Sequence, residues 1–85
     1  MAQSFEYQLC NAQYGRVTFV NGVWQGRMPF GSSEDTNVLL ESCPMVFEYL
    51  MQAGRDGWEL VSVVTHPQEK AADVQDTLYL KRPSW

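Results

Sequence analysis

Apolar and polar residues alternate from Ser4 to Cys10, which places Phe5, Tyr7 and Leu9 on one face of a half-buried strand. A turn around Asn11 to Gly15 leads into Arg16-Val17-Thr18-Phe19-Val20, and Val23-Trp24-Gln25 follows Asn21-Gly22. Asn-Gly suits a two-residue type I′ turn because both positions need positive φ, so a β-hairpin is predicted here. From Gly26 to about Ser42 the periodicity fails, and Pro29, Gly31, Ser32 and Ser33 mark a long surface connection. It reads as a solvated insertion or as a contact surface, with Asn37 to Leu40 as a short strand or helical turn inside it.

The pattern then changes period. Cys43 or Ser42 is placed to cap a helix over 44–53, with Pro44 at a first-turn position that tolerates a missing N–H. Val46, Tyr49, Leu50 and Ala53 recur at i, i+3, i+4 and i+7 and define its core stripe. Phe47 and Met51 form a second apolar pair about a hundred degrees round, either the flank of a broad stripe or an exposed patch. Gly54 suits the left-handed position that ends a helix, and Gly57 relieves the turn into the next strand.

Trp58 to Val64 alternates Trp58, Leu60, Ser62 and Val64 against Glu59, Val61 and Val63. Both faces are partly apolar, as in a central strand. Thr65 to Asp76 reads as a second polar loop, and Thr77 to Arg82 as the last strand, stopped by Pro83 and antiparallel to the Trp58 strand. The expected fold is a single α+β domain over 1–85: a twisted, mainly antiparallel sheet of four to five strands with one helix packed on one face.

Three separated stretches carry a family likeness: Phe5-Glu6-Tyr7, then Gly54-x-x-Gly57-Trp58-Glu59-Leu60-Val61-Ser62-Val63, and finally Leu78-Tyr79-Leu80-Lys81-Arg82-Pro83. In order and spacing these resemble small bacterial proteins grouped as domain of unknown function 4177. The resemblance covers the ends and middle of the chain and leaves the region between about 14 and 42 without a guide. It implies an architecture and no activity, so no functional residue is carried over from it.

Composition fits a small globular domain, with 45% apolar and 13% aromatic residues, and disorder is not expected. The net charge of −4 is concentrated in residues 34–76, where nine acids against Arg55 and Lys70 leave −7. So little positive charge argues against nucleic acid and anionic membrane as partners. No apolar run reaches the ~20 residues needed to span a bilayer, and the first residues lack signal-peptide character, so a cytoplasmic location is expected, with Cys10 and Cys43 reduced.

Chemistry is sparse. The one histidine, His66, could pair with Cys10 or Cys43 for nucleophilic catalysis, yet all three have structural readings. Cys43, at a helix start, is the one thiol with grounds for a lowered pKa. Cys10, Cys43 and His66 fall one per element, which does not suit a metal site. Glu34, Asp35, Glu69 and Asp73 read as solvated loop charges, and the glycines fit no nucleotide fingerprint. Lys81, Arg82, Arg16 and Arg27 would hold an anion only if the fold gathered them at one sheet end. No cofactor and no enzymatic activity are expected.

Two functional readings remain. In the first, one helix covers only one sheet face, and the other apolar surface binds a second copy or another protein, with Trp24, Phe47, Met51, Val61, Val63 and Tyr79 as contact residues and Leu39, Leu40 and Trp85 extending the contact. In the second, Tyr7, Trp24, Trp58 and Tyr79 line a groove for a small molecule beneath the loops 26–42 and 65–76.

Overall fold

Two tight turns shape the first half of the chain, and both use the left-handed backbone. In the computed structural model, which describes residues 2–66 and 75–84, Tyr14 and Gly15 turn at φ 53° and 73°, and Asn21 and Gly22 at 49° and 81°. The second is the expected Asn-Gly hairpin. The first lengthens the opening strand: β1 runs Phe5–Gln13, so Asn11 to Gln13 pair with a neighbour rather than forming a loop. After it come β2 (Arg16–Val20) and β3 (Val23–Trp24).

Two helices follow where one was expected. Within the 26–42 connection, α1 (Thr36–Glu41) starts where the Asp35 carboxylate accepts from the Asn37 N–H at 3.0 Å. The second helix, α2 (Val46–Arg55), begins two residues later than predicted, and neither Ser42 nor Cys43 caps it. Its first amide, on Val46, donates to the Gly15 carbonyl at 2.9 Å, and the Val17 amide donates to the Pro44 carbonyl at 2.9 Å. The β1–β2 turn thus supplies the acceptor that a side-chain cap would have given. At its other end α2 runs through Gly54, and the left-handed residue is Gly57 at φ 91°. Termination falls three residues later than the glycine spacing implied.

The chain closes with β4 (Glu59–His66) and β5 (Gln75–Pro83). All five strands form one antiparallel sheet in the order β3-β2-β1-β5-β4. The expected neighbours β4 and β5 do pair, but β4 is not central; it is an edge strand, and β1 and β5 occupy the middle. Nine residue pairs join β1 to β5, from Phe5–Pro83 to Gln13–Gln75. Thr65, His66, Gln75 and Asp76, expected in a loop, are strand residues, and β5 ends at Pro83, its last residue. Pro67, Glu69, Lys70, Ala71, Ala72, Asp73 and Trp85 lie outside the described residues.

The core sits between α2 and one sheet face. Cys10 and Ala12 of β1, Val17 of β2 and Leu78 and Leu80 of β5 meet Ala53, and the predicted stripe residues Val46, Tyr49 and Leu50 pack around them with Trp58. Opposed residues share a face, so Phe5, Tyr7 and Leu9 point the other way. They do share one face of β1, but it is the uncovered one, and Tyr7 is 65% exposed. Deleting the Leu80 side chain, 1% exposed on the interior strand β5, leaves a cavity that the thin core cannot close. Leu80→Ala is expected to lower unfolding free energy by about 2–5 kcal/mol, read as an earlier midpoint in urea denaturation.

Candidate functional site

Every residue of β4 is exposed, an unusual condition for a strand that carries Leu60, Val61, Val63 and Val64. Its position explains this. Among the described residues only β5 borders it, and α2 crosses the sheet from the β1–β2 turn at its start to the sheet's other end, where the Trp58 amide donates to the Ala53 carbonyl at 2.9 Å. Among the described residues, the C-terminal half of β4 therefore has β5 on one side, no strand on the other and no helix over it.

A register shift between Leu60 and Ser62 makes Val61 the extra residue of a β-bulge. Leu60 opposes Leu80 and Val63 opposes Leu78, so both lie on the α2 face, while Ser62 and Val64 oppose Tyr79 and Thr77 on the other. This corrects the simple alternation, in which Leu60 and Val63 fell on opposite faces. The bulge re-phases the strand by one residue.

Backbone directions follow from one pair of contacts. The Leu9 amide donates to Asn21 Oδ1 at 2.9 Å and its carbonyl accepts from the Asn21 amide at 2.7 Å, so both point to β2. Successive residues alternate. Cys10 and Leu78 therefore turn toward each other, Thr77 and Tyr79 turn toward Val64 and Ser62, and the N–H and C=O groups of Val63 and Thr65 are left on the outer edge.

The neighbouring helix flank is apolar as well. Tyr49, on one flank of α2, reaches β1, and Glu48 borders a cleft of about 390 Å³ with Arg16, Arg27 and Cys43 on the β2 side. A right-handed helix then carries Phe47 and Met51 on the flank toward β4. Phe47 is 71% exposed and Met51 48%, so they form a patch and not the margin of the core stripe.

Of the six residues expected at a contact, Phe47, Met51, Val61 and Val63 thus gather on the β4 side. Trp24 does not join them. It lies on β3 at the opposite edge, where its ring packs against Phe19 and Phe30 and its Nε1 donates to the Met28 carbonyl at 2.8 Å. Tyr79 lies on the second sheet face beside Ser62. Leu60 and Val64 belong to the surface and were missed, because an apolar strand residue reads as core until the strand is known to be an edge. Leu39 and Leu40 belong to α1, which packs near β2 and not near β4.

The aromatic groove does not form. Tyr7 and Tyr79 occupy the uncovered face, Trp24 its far edge, and Trp58 packs against the core on the α2 side, 4.4 Å below the Arg82 guanidinium. Arg82 also donates from Nε to Glu6 and from Nη1 to the Asp56 carbonyl at 2.9 Å. The three stretches singled out in the sequence therefore meet at this one joint, which ties β1, β5 and the α2–β4 turn together. The basic residues are not gathered: Arg82 lies at the Glu6 end of the sheet and Arg16 at the Gln13 end, its Nη1 donating to the Cys43 carbonyl at 3.0 Å.

Neither thiol is activated. Burial pushes Cys43 above its ordinary value of 9.0, outweighing the opposing pull of Arg16, and its Sγ donates to the Leu39 carbonyl. A lowered pKa at a helix start is thereby overturned, since Cys43 lies before the helix and is enclosed. Cys10 and Cys43 are both free and buried. His66 bonds Thr77 Oγ1 at 3.1 Å on the sheet face opposite Cys10. Among the described residues, no three His, Cys, Asp or Glu side chains converge in a way that could hold a metal, and no helix is long and apolar enough to cross a membrane. No family model, curated protein or solved structure matches this chain.

Burial also raises the Tyr49 phenol, whose Oη donates to Gln8 Oε1, and raises Cys10, whose Sγ donates to the same oxygen at 3.5 Å. Folding thus favours the neutral forms, whereas the unfolded chain ionises near 9.0 for cysteine and 10.0 for tyrosine. Their contribution is complete below those values and is lost as pH rises through them toward the folded pKa values. The urea midpoint is expected to fall between about pH 8 and about pH 11, and Tyr49→Phe should remove part of the fall in the upper half of that range.

Proposed function

We propose that this domain is a non-enzymatic protein-interaction module that self-associates, and that its contact surface is the outer edge of β4 with the adjoining flank of α2. The observation that carries this reading is the edge itself: an eight-residue strand, exposed throughout, with four large apolar side chains and, among the described residues, no strand beyond it. Such an edge is a template for another strand, and isolated domains usually blunt it with lysine, proline or a covering segment. The opposite edge is treated in that way. There β3 is two residues long, and the chain folds back so that the Gln25 amide donates to the Thr18 carbonyl and Phe30 lies against Trp24.

The same surface favours a binding role over a catalytic one, because exposed apolar side chains dominate it and its one imidazole, His66, is bonded to Thr77 Oγ1. A cytosolic setting is in keeping with two free, buried thiols.

Light scattering behind size exclusion tests the reading. The wild-type chain of 9.7 kDa is expected to run at twice that mass at high concentration. Val63→Lys, which puts a charge on the edge without touching the core, is expected to weaken association at least about tenfold, or about 1.4 kcal/mol, with an unchanged circular dichroism spectrum. A wild-type chain that stays monomeric at the highest concentration reached would overturn the proposal.

A further inference from the structure

We propose that the partner is a second copy whose β4 pairs antiparallel with β4 about a two-fold axis at Val64, extending the fold into a continuous ten-stranded sheet. The inference rests on the self-association reading above and adds the geometry of the contact. An axis normal to the sheet leaves both copies of α2 on the same side. It also requires that opposed residues share a sheet face. Only residues of like phase can then pair, and the bulge at Val61 limits which segment is regular enough to do so.

That segment is Ser62–His66, between the bulge and the end of β4, and its midpoint is Val64. Centring the axis there pairs all five residues with themselves reversed. Val63 of each copy opposes Thr65 of the other, and these are the residues whose N–H and C=O groups point outward, so each pair exchanges two hydrogen bonds. The two Val64 side chains meet in the intervening non-bonded position, where side chains approach most closely. Ser62 opposes His66, placing a hydroxyl against an imidazole at each end.

Neighbouring registers do worse. Centring on Val63 sets Thr65 against the bulged Val61, which breaks the ladder, and centring on Thr65 carries Val63 beyond the end of the strand. Charge agrees with the Val64 register. The chain is acidic overall, yet Ser62–His66 holds no acid, and Glu59 stays outside the paired stretch. Like charges are therefore not opposed.

Single-cysteine capture in the full chain reads the register. In the proposed pairing the two Val64 Cα atoms lie about 4.5 Å apart, within disulfide range, while the two Val63 positions are diagonal neighbours about 7–8 Å apart and outside it. Val64→Cys is expected to give a reducible covalent dimer under mild oxidation, and Val63→Cys is not; the wild type, whose thiols are buried, serves as the control. Amide exchange gives a readout without substitution, with Val63 and Thr65 becoming protected as concentration rises. If the wild type dimerises but Val63→Cys is captured in preference to Val64→Cys, the register is wrong and self-association stands. Dimerisation without added protection at Val63 and Thr65 would place the second copy on the uncovered sheet face instead. A monomeric wild type removes both proposals.

Discussion

The long antiparallel pairing of β1 with β5 is the constraint on which the rest of this fold depends. It joins the two ends of the chain over nine residue pairs and places Cys10, Leu78 and Leu80 at the centre of the sheet. With those two strands in the middle, β2 and β3 must extend from one side and β4 from the other. The pairing also decides which face is inside. Because Cys10 and Ala12 share the α2 face, the larger Phe5, Tyr7 and Leu9 are turned outward. Closing so long a loop carries an entropic cost that grows only slowly with length, and the ladder and the packing beneath α2 offset it.

Around that ladder the molecule is thin, 19 Å along its shortest axis. This is about one sheet and one helix layer. A domain with two layers has one buried interface, so each apolar residue not beneath α2 is near water. The Arg82 joint is what keeps this arrangement from sliding. Its guanidinium rests on Trp58, bonds Glu6 on β1 and holds the Asp56 carbonyl just before Gly57 turns the chain into β4. The joint is partly solvated, so its ion pair adds little by itself. Its effect is geometric, because the planar guanidinium of β5 satisfies three partners at once, one on β1 and two in the α2–β4 turn.

Much of this was legible in the residues. The alternation of β1, the Asn-Gly turn, the core stripe of α2 and the β4–β5 neighbourhood all follow from local patterns with periods of two or 3.6, which are set by backbone geometry. The errors share a cause. Helix ends were misplaced because Val46 finds its acceptor on Gly15, thirty-one positions away in the chain, and no local cap signal reports such a contact. The Val61 bulge left no mark in the alternation, since Leu60, Val61, Val63 and Val64 are apolar in either phase. Phe47 and Met51 were recognised as a second apolar pair, but whether they faced core or solvent depended on which strands lay beneath the helix.

By itself, then, the sequence determined the type of each main element, the α+β class and the poverty of chemical groups, because these depend on composition and on neighbours a few positions apart. Strand order, the inside face of β1 and the exposure of β4 were decided only by the tertiary structure. A strand with two apolar faces is written in the same residues whether it lies in the middle of a sheet or at its margin. What distinguishes the two is the number of neighbours the chain has to offer it. Here β5 has β1 on its other side, so among the described residues β4 keeps one edge open.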